Sequence, residues 1–200
     1  MELSLRLIIN CFIAMVALVN PFQKVFVVTS LQKQFDIKTT RFIAVKATIT
    51  ALIILLIFLF AGQAILHDVF RIEIYAFQIT CGVVLFYNGL NGLQKGIFIN
   101  LEKNMTIKDI STIPMALPMI AGPATITAAV TFPADFGNIA TIIAIFLSLG
   151  VNLLFMIYAA QIGKVLEKFN LLNPLVRIFG LIVATIGTQM VLSGIRGFIG

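Results

Sequence analysis

The chain has 200 residues, 60% of them hydrophobic and 11% charged, with a mean hydropathy of +1.08 and a formal net charge of +6. A water-soluble domain of this length carries about twice that share of charge, and apolar stretches of membrane-spanning length recur along the whole sequence. These quantities exclude a soluble domain and predict an all-α polytopic membrane protein, a single membrane domain over residues 1–200.

Six spans are predicted, at about 5–30, 42–66, 74–96, 112–132, 137–162 and 175–197. The first is too long for a cleavable signal peptide, its start carries Glu2 as well as Arg6, and no small-residue cleavage pattern follows. Inside it, "ALVNPFQKVF" (17–26) sets Asn20, Pro21 and Lys24 in an apolar run. Proline interrupts the helical hydrogen-bond ladder, and an ammonium in hydrocarbon is costly. Asn20-Pro21 reads as a helix restart, because asparagine is a strong N-cap and proline suits the first helical position. Lys24 follows one turn later. No Asp or Glu lies deep in any span, so Lys24 needs carbonyls, water, an anionic ligand group or a snorkelling path to an interface.

His67, beside Asp68 in the 2–3 loop, reads as a solvated histidine. Span 3 carries a polar stripe of Cys81, Asn88, Asn91 and Lys95, and a glycine stripe of Gly82, Gly89 and Gly96. In span 4, Pro114 and Pro118 precede a second restart at Gly122-Pro123, and Pro133 is expected to end the span. Span 5 has a stripe of Thr141, Ser148 and Asn152. Span 6 has one of Thr185, Gln189 and Ser193, with Gly180, Gly187 and Gly194 on another. The glycine stripes predict close helix packing. The polar stripes fit either interhelical hydrogen bonds or the lining of a pathway. Cys11 and Cys81 both fall inside spans and read as small apolar fillers without a disulfide framework. No paired in-membrane carboxylate, metal-ligand cluster, phosphate loop or nucleophile elbow is present in the sequence, so no enzyme chemistry and no cofactor are expected.

With six spans, the termini and the 2–3 and 4–5 loops share one side, which carries Arg6, Arg71 and Arg196. The opposite side carries Lys33, Lys38, Arg41, Lys46, Lys95, Lys103, Lys108, Lys164, Lys168 and Arg177. The positive-inside bias places the second group in the cytoplasm and both termini outside it, in the inner (plasma) membrane. These cations are spread over three short loops, which fits anionic lipid headgroups rather than nucleic acid.

The sequence also repeats itself at a shift of 102 residues. "LVNPFQKVFVVTS" (18–30) lies over "IAGPATITAAVTF" (120–132), and "FQITCGVVLFYNGLNG" (77–92) over "FGLIVATIGTQMVLSG" (179–194). Two halves of three spans, about 5–96 and 112–197, are joined by a short cytoplasmic connection at 97–111. An odd number of spans inverts the second half, which is a recurrent plan of secondary transporters. Asn20-Pro21 and Gly122-Pro123 then become paired half-helix starts, whose free N–H groups and positive dipole ends meet at midplane.

The segments "ALVNPFQKVFVVTSL", "FAGQAIL", "IPMALPMIAGPATIT" and "RIFGLIVATIGTQMVLSGI" resemble the MarC family of bacterial and archaeal integral membrane proteins, in order and over essentially the whole chain. The resemblance implies a six-span inner-membrane protein with inverted repeats, grouped with amino-acid exporters of the LysE type. It carries the family's Asn-Pro onto Asn20 and Pro21, and its Ala-Gly-Pro onto Ala121, Gly122 and Pro123, with Thr125 following. Lys24 departs from the pattern, standing where an uncharged residue is expected.

The expected function is a secondary transporter for small polar solutes, with small neutral amino acids implied by the resemblance. Substrate-binding residues are expected to be Asn20, Pro21, Lys24, Ala121, Gly122, Pro123, Thr125 and Thr127. Asn88, Asn91, Asn152, Gln189 and Ser193 are expected to line the route. Expected partners are the solute, the bilayer, a coupling ion (H+ or Na+) and further copies of the chain. A passive water or neutral-solute channel is the alternative, and a non-transporting scaffold a third reading.

Overall fold

Helices form along the apolar runs, and two of them start at a proline, which has no backbone N–H to give the preceding turn. The computed structural model describes residues 5–32, 34–95 and 115–199, and every regular element among them is helical. Helix α1 (Leu5–Val19) ends at Asn20, and α2 (Pro21–Leu31) starts at the next residue. Helix α3 (Ile37–Gln63) passes into a π-helical turn, Ala64–Val69, and α4 covers Ile74–Lys95. A second π-helical segment, Met115–Ile120, leads to α5 (Pro123–Phe136). Then come α6 (Asn138–Ile157), α7 (Ala159–Lys168) and α8 (Leu172–Ile199). The 97–111 connection, Lys33, Gly96 and Pro114 lie outside the described residues.

Four stretches are long and apolar enough to cross a membrane: Leu5–Leu31, Ile37–Val69, Asn138–Ile157 and Asn173–Ile199. Their large apolar side chains face outward. Ile9, Ile13, Ile49, Ile53, Ile57, Phe146, Leu154, Ile178 and Leu181 are all exposed, a surface suited to lipid and not to water. Of the other two predicted spans, α4 has 22 residues but is diluted by Gln78, Asn88, Asn91 and Gln94. The fourth is divided by its break into a π-helical piece and the 14-residue α5.

Three boundaries differ from expectation. Helix α3 starts before residue 42 because Asp36 caps it, its carboxylate accepting the N–H groups of Lys38 (3.1 Å) and Thr39 (3.4 Å). Pro133 does not end its helix, which runs on to Phe136. It sits in the last turn, its own carbonyl accepting the Gly137 N–H at 3.0 Å. There it withholds one N–H from the Ala129 carbonyl, and the helix continues for one further turn. The fifth predicted span does not run straight to 162. It ends at Ile157, and α7 begins after Tyr158.

Helix α6 lies at the centre, buried along one stripe from Ala140 through Ala144, Ser148 and Asn152 to Met156. It packs against α1, α2, α3 and α5. The most extensive helix pair is α4 with α8. Here Gly82 faces Gly187 and Gly89 faces Gly180, each carbonyl lying within 3 Å of where the opposite glycine would carry a Cβ. In lipid there is little hydrophobic drive between helices, so this backbone-to-backbone fit is itself the cohesion. The expected glycine-stripe packing is present at all of these positions. Most hydroxyls of the polar stripes turn back on their own helix. Thr141 donates to the Gly137 carbonyl, Ser148 to Ile145 and Thr185 to Leu181, which satisfies them without bridging helices.

Candidate functional site: a cleft between two helix breaks

The first break follows from three residues. Asn20 takes a left-handed conformation (φ 50°, ψ 72°), which asparagine tolerates better than most residues. Its Oδ1 accepts the Gln23 N–H at 3.4 Å, capping α2. Pro21 has no N–H to give the Ala17 carbonyl, and among the described residues no backbone N–H reaches the carbonyls of Leu18 or Val19. Lys24 closes the gap. It is 1% exposed, and its Nζ donates to the Val19 carbonyl. The amino group therefore points back into the break, against the carbonyl end of α1, and does not snorkel to an interface.

The second break has the same logic with other side chains. Gly122 is extended (φ −90°, ψ 176°) and gives no side-chain cap. Buried Thr125 puts its hydroxyl 2.8 Å from the Ile120 carbonyl and 3.0 Å from the Gly122 carbonyl. Thr127 donates to the Pro123 carbonyl at 2.9 Å.

Between the breaks is a cleft of about 340 Å³, within the size range of small-molecule sites. One wall is the end of α1, with Ala14, Ala17 and Leu18. The facing wall is the start of α5, with Ala124, Thr127 and Ala128, followed by Thr131 and Phe132. Gln78 of α4 and Ile186, Gln189, Met190 and Ser193 of α8 complete it. Gln189 Nε2 lies 3.4 Å from Ser193 Oγ. The cleft thus runs along one face of the end of α1 and one face of α5 from its first turn, with two amides and three hydroxyls along an otherwise apolar wall.

The structure brings together only part of the expected set. Thr127, Gln189 and Ser193 line the cleft; Pro123 and Thr125 flank it at the start of α5, and Ala121 and Gly122 form the break itself. Asn20, Pro21 and Lys24 are buried at the first break and do not line the cleft. Asn88 and Asn91 lie further along α4, outside it. Asn152 is fully buried in α6, with Nδ2 donating to Met156 Sδ at 3.2 Å. Its Oδ1 and the Asn20 Nδ2 are the buried side-chain polar atoms without a hydrogen-bond partner among the described residues. Sequence reasoning overlooked Gln78 and Thr131. Gln78 was visible as an amide in the apolar run "FQITC", three residues before Cys81 on the same stripe. Thr131 was visible one turn after Thr127.

The chain matches the family described as MarC family integral membrane protein over residues 5–199. It is 32% identical to a UPF0056 membrane protein of Pyrococcus horikoshii, covering 98% of this chain and 96% of that one. It is 34% identical to a UPF0056 membrane protein of Methanocaldococcus jannaschii, covering 98% of each. It is 31% identical to the UPF0056 membrane protein YvbG of Bacillus subtilis, covering 95% of this chain and 94% of that one. No solved structure matches. With a full-length family match and full-length relatives above 30% identity, the chain belongs to the MarC family of integral membrane proteins.

Proposed function

We propose that this protein is a secondary transporter of small polar solutes, with small neutral amino acids as its substrates, working in the cytoplasmic membrane with both termini outside the cytoplasm. The observation that carries the reading is the cleft beside the two helix breaks, along the end of α1 and the first turns of α5, whose helix dipoles set a polarity across it. A zwitterion matches that polarity, with its carboxylate toward Ala124 and Thr125 at the start of α5 and its ammonium toward Ala17 and Leu18. The volume of about 340 Å³ accommodates alanine or serine. Gln78, Gln189 and Ser193 supply hydrogen bonds to a side-chain hydroxyl or to carried water. Both half-helix N-termini, at Asn20-Pro21 and Gly122-Pro123, were expected at the site. The geometry supports a different division, one helix end for each charge.

The reading includes six spans in two inverted repeats. Its support is the way the halves meet. Gly82 lies against Val191, and Gly89 against Ala184. Exchanging residue i with i+102 converts the first of these contacts into the second, as a two-fold axis in the membrane plane requires. The break pairs likewise fall in equivalent places, Asn20-Pro21 and Gly122-Pro123.

The test is counterflow in liposomes loaded with unlabelled solute, using labelled alanine, glycine and serine. Saturable uptake that accelerates against internal substrate is the expected result. Flux that is linear in concentration and indifferent to internal solute would instead identify a pore, and no flux of any solute would remove the transport reading.

A further inference from the structure

The two breaks are mended by the same reach and by different chemistry. At the second, the Thr125 hydroxyl meets the carbonyl five residues back, Ile120, at 2.8 Å. At the first, Lys24 Nζ meets the carbonyl five residues back, Val19. A neutral donor is therefore enough to bridge such a gap, and at Lys24 the chain instead places an amine that is a cation when protonated. That charge sits where a cation is favoured. Helix α1 has 15 residues, and its carbonyl end carries roughly half a negative charge. Pro21 withholds an N–H from Ala17, and among the described residues the Leu18 and Val19 carbonyls receive none from the backbone. Among the described residues the ion pairs involve only His67, so no described carboxylate pairs with Lys24. The side chain is also enclosed, at 1% exposure. Unwound carbonyls at a helix break are the chemistry by which broken membrane helices hold a monovalent cation.

We propose that the free carbonyl end of α1 at Val19, behind the cleft wall, is a site for a small monovalent cation, and that the Lys24 ammonium is its built-in occupant. The wild-type break then needs no external sodium. Removing the side chain converts the break into a binding site for Na+ or for methylammonium, which carries the same head group. This inference concerns the break and stands apart from the transport reading, so either can fail without the other.

The test is thermal unfolding of the full chain in detergent, in choline, sodium or methylammonium chloride at equal ionic strength. The wild-type midpoint is expected to be the same in all three. Lys24→Ala is expected to melt lower in choline and to recover by several degrees, saturably, with sodium or methylammonium, as binding to the folded state requires. Lys24→Gln, a neutral donor, is expected to melt below the wild type in choline. The proposal is overturned by a Lys24→Ala midpoint that ignores both cations, by a wild type that gains as much as the variant, or by a Lys24→Gln protein as stable as the wild type. If neither neutral variant can be purified in any salt, recovery of Lys24→Arg supports the proposal, and loss of that variant too overturns it.

Discussion

Thr125 shows what one buried hydroxyl contributes to a broken membrane helix. Its Oγ sits between the carbonyls of Ile120 and Gly122, which have no water to turn to at that depth. Thr125→Val keeps the shape and removes the donor. It is expected to cost about 1–2 kcal/mol, read as a lower unfolding midpoint, and Thr125→Ser is expected to restore most of it. Asp36 makes a pH-dependent contribution at the start of α3. Hydrogen bonding from the Thr39 side chain, opposed by desolvation and supported by the Thr39 and Lys38 N–H groups, lowers its carboxyl from the ordinary range. A depressed acid stabilises the fold above its unfolded value and loses that contribution as pH falls through the folded one. Asp36→Ala is therefore expected to weaken the protein at neutral pH, the gap to wild type closing below about pH 4. Asp36→Asn, a neutral cap, should show little of this dependence. At this scale the restart at Asn20-Pro21 was legible, because capping chemistry is local. The destination of the Lys24 ammonium was not, since it depends on which carbonyls the break leaves free.

Among the elements, the α4–α8 pair has the least tolerance. A Cβ at Gly89 would meet the backbone of Ala184 and the Gly180 carbonyl, and one at Gly187 the backbone of Phe86 and the Gly82 carbonyl. Backbone cannot step aside as a flexible side chain can. Gly89→Val is expected to cost about 3 kcal/mol or more, seen as loss of folded protein from the membrane fraction. Gly150 is the control, because nothing lies within 4 Å of a Cβ placed there. Gly150→Ala is expected to stay within about 0.5 kcal/mol of the wild type in thermal unfolding. The seven-residue spacing made these stripes readable in advance. The course of α5 past Pro133 and the break at Tyr158 were not readable, since each depends on where a residue falls within its final turn and on what packs beyond it. The polar stripes misled for a related reason. Spacing identifies a face, but it does not reveal that Thr141, Ser148 and Thr185 spend their hydroxyls on their own helix.

Across the whole molecule, composition and hydropathy were enough for an all-helical membrane protein, and the glycine stripes marked faces of close helix packing without showing that they meet each other. The cleft was only half legible. Thr127, Gln189 and Ser193 stood out as polar residues on apolar faces, whereas Gln78 and the α1 carbonyl end join them only through packing. The topology reading predicts that a reporter fused after Gly200 is active outside the cytoplasm; a cytoplasmic signal there would reverse the orientation.

The central claim is that the cleft between α1, α4, α5 and α8 holds the solute, and Ser193 offers direct access to it. Ser193→Cys, made with Cys11→Ala and Cys81→Ala, is to be alkylated in liposomes with a membrane-impermeant thiol reagent supplied to one face and then the other, with and without serine or alanine. The account predicts labelling from both faces and protection by the solute over the concentration range that saturates counterflow. Labelling that solute does not slow, at concentrations where counterflow is saturated, would contradict it.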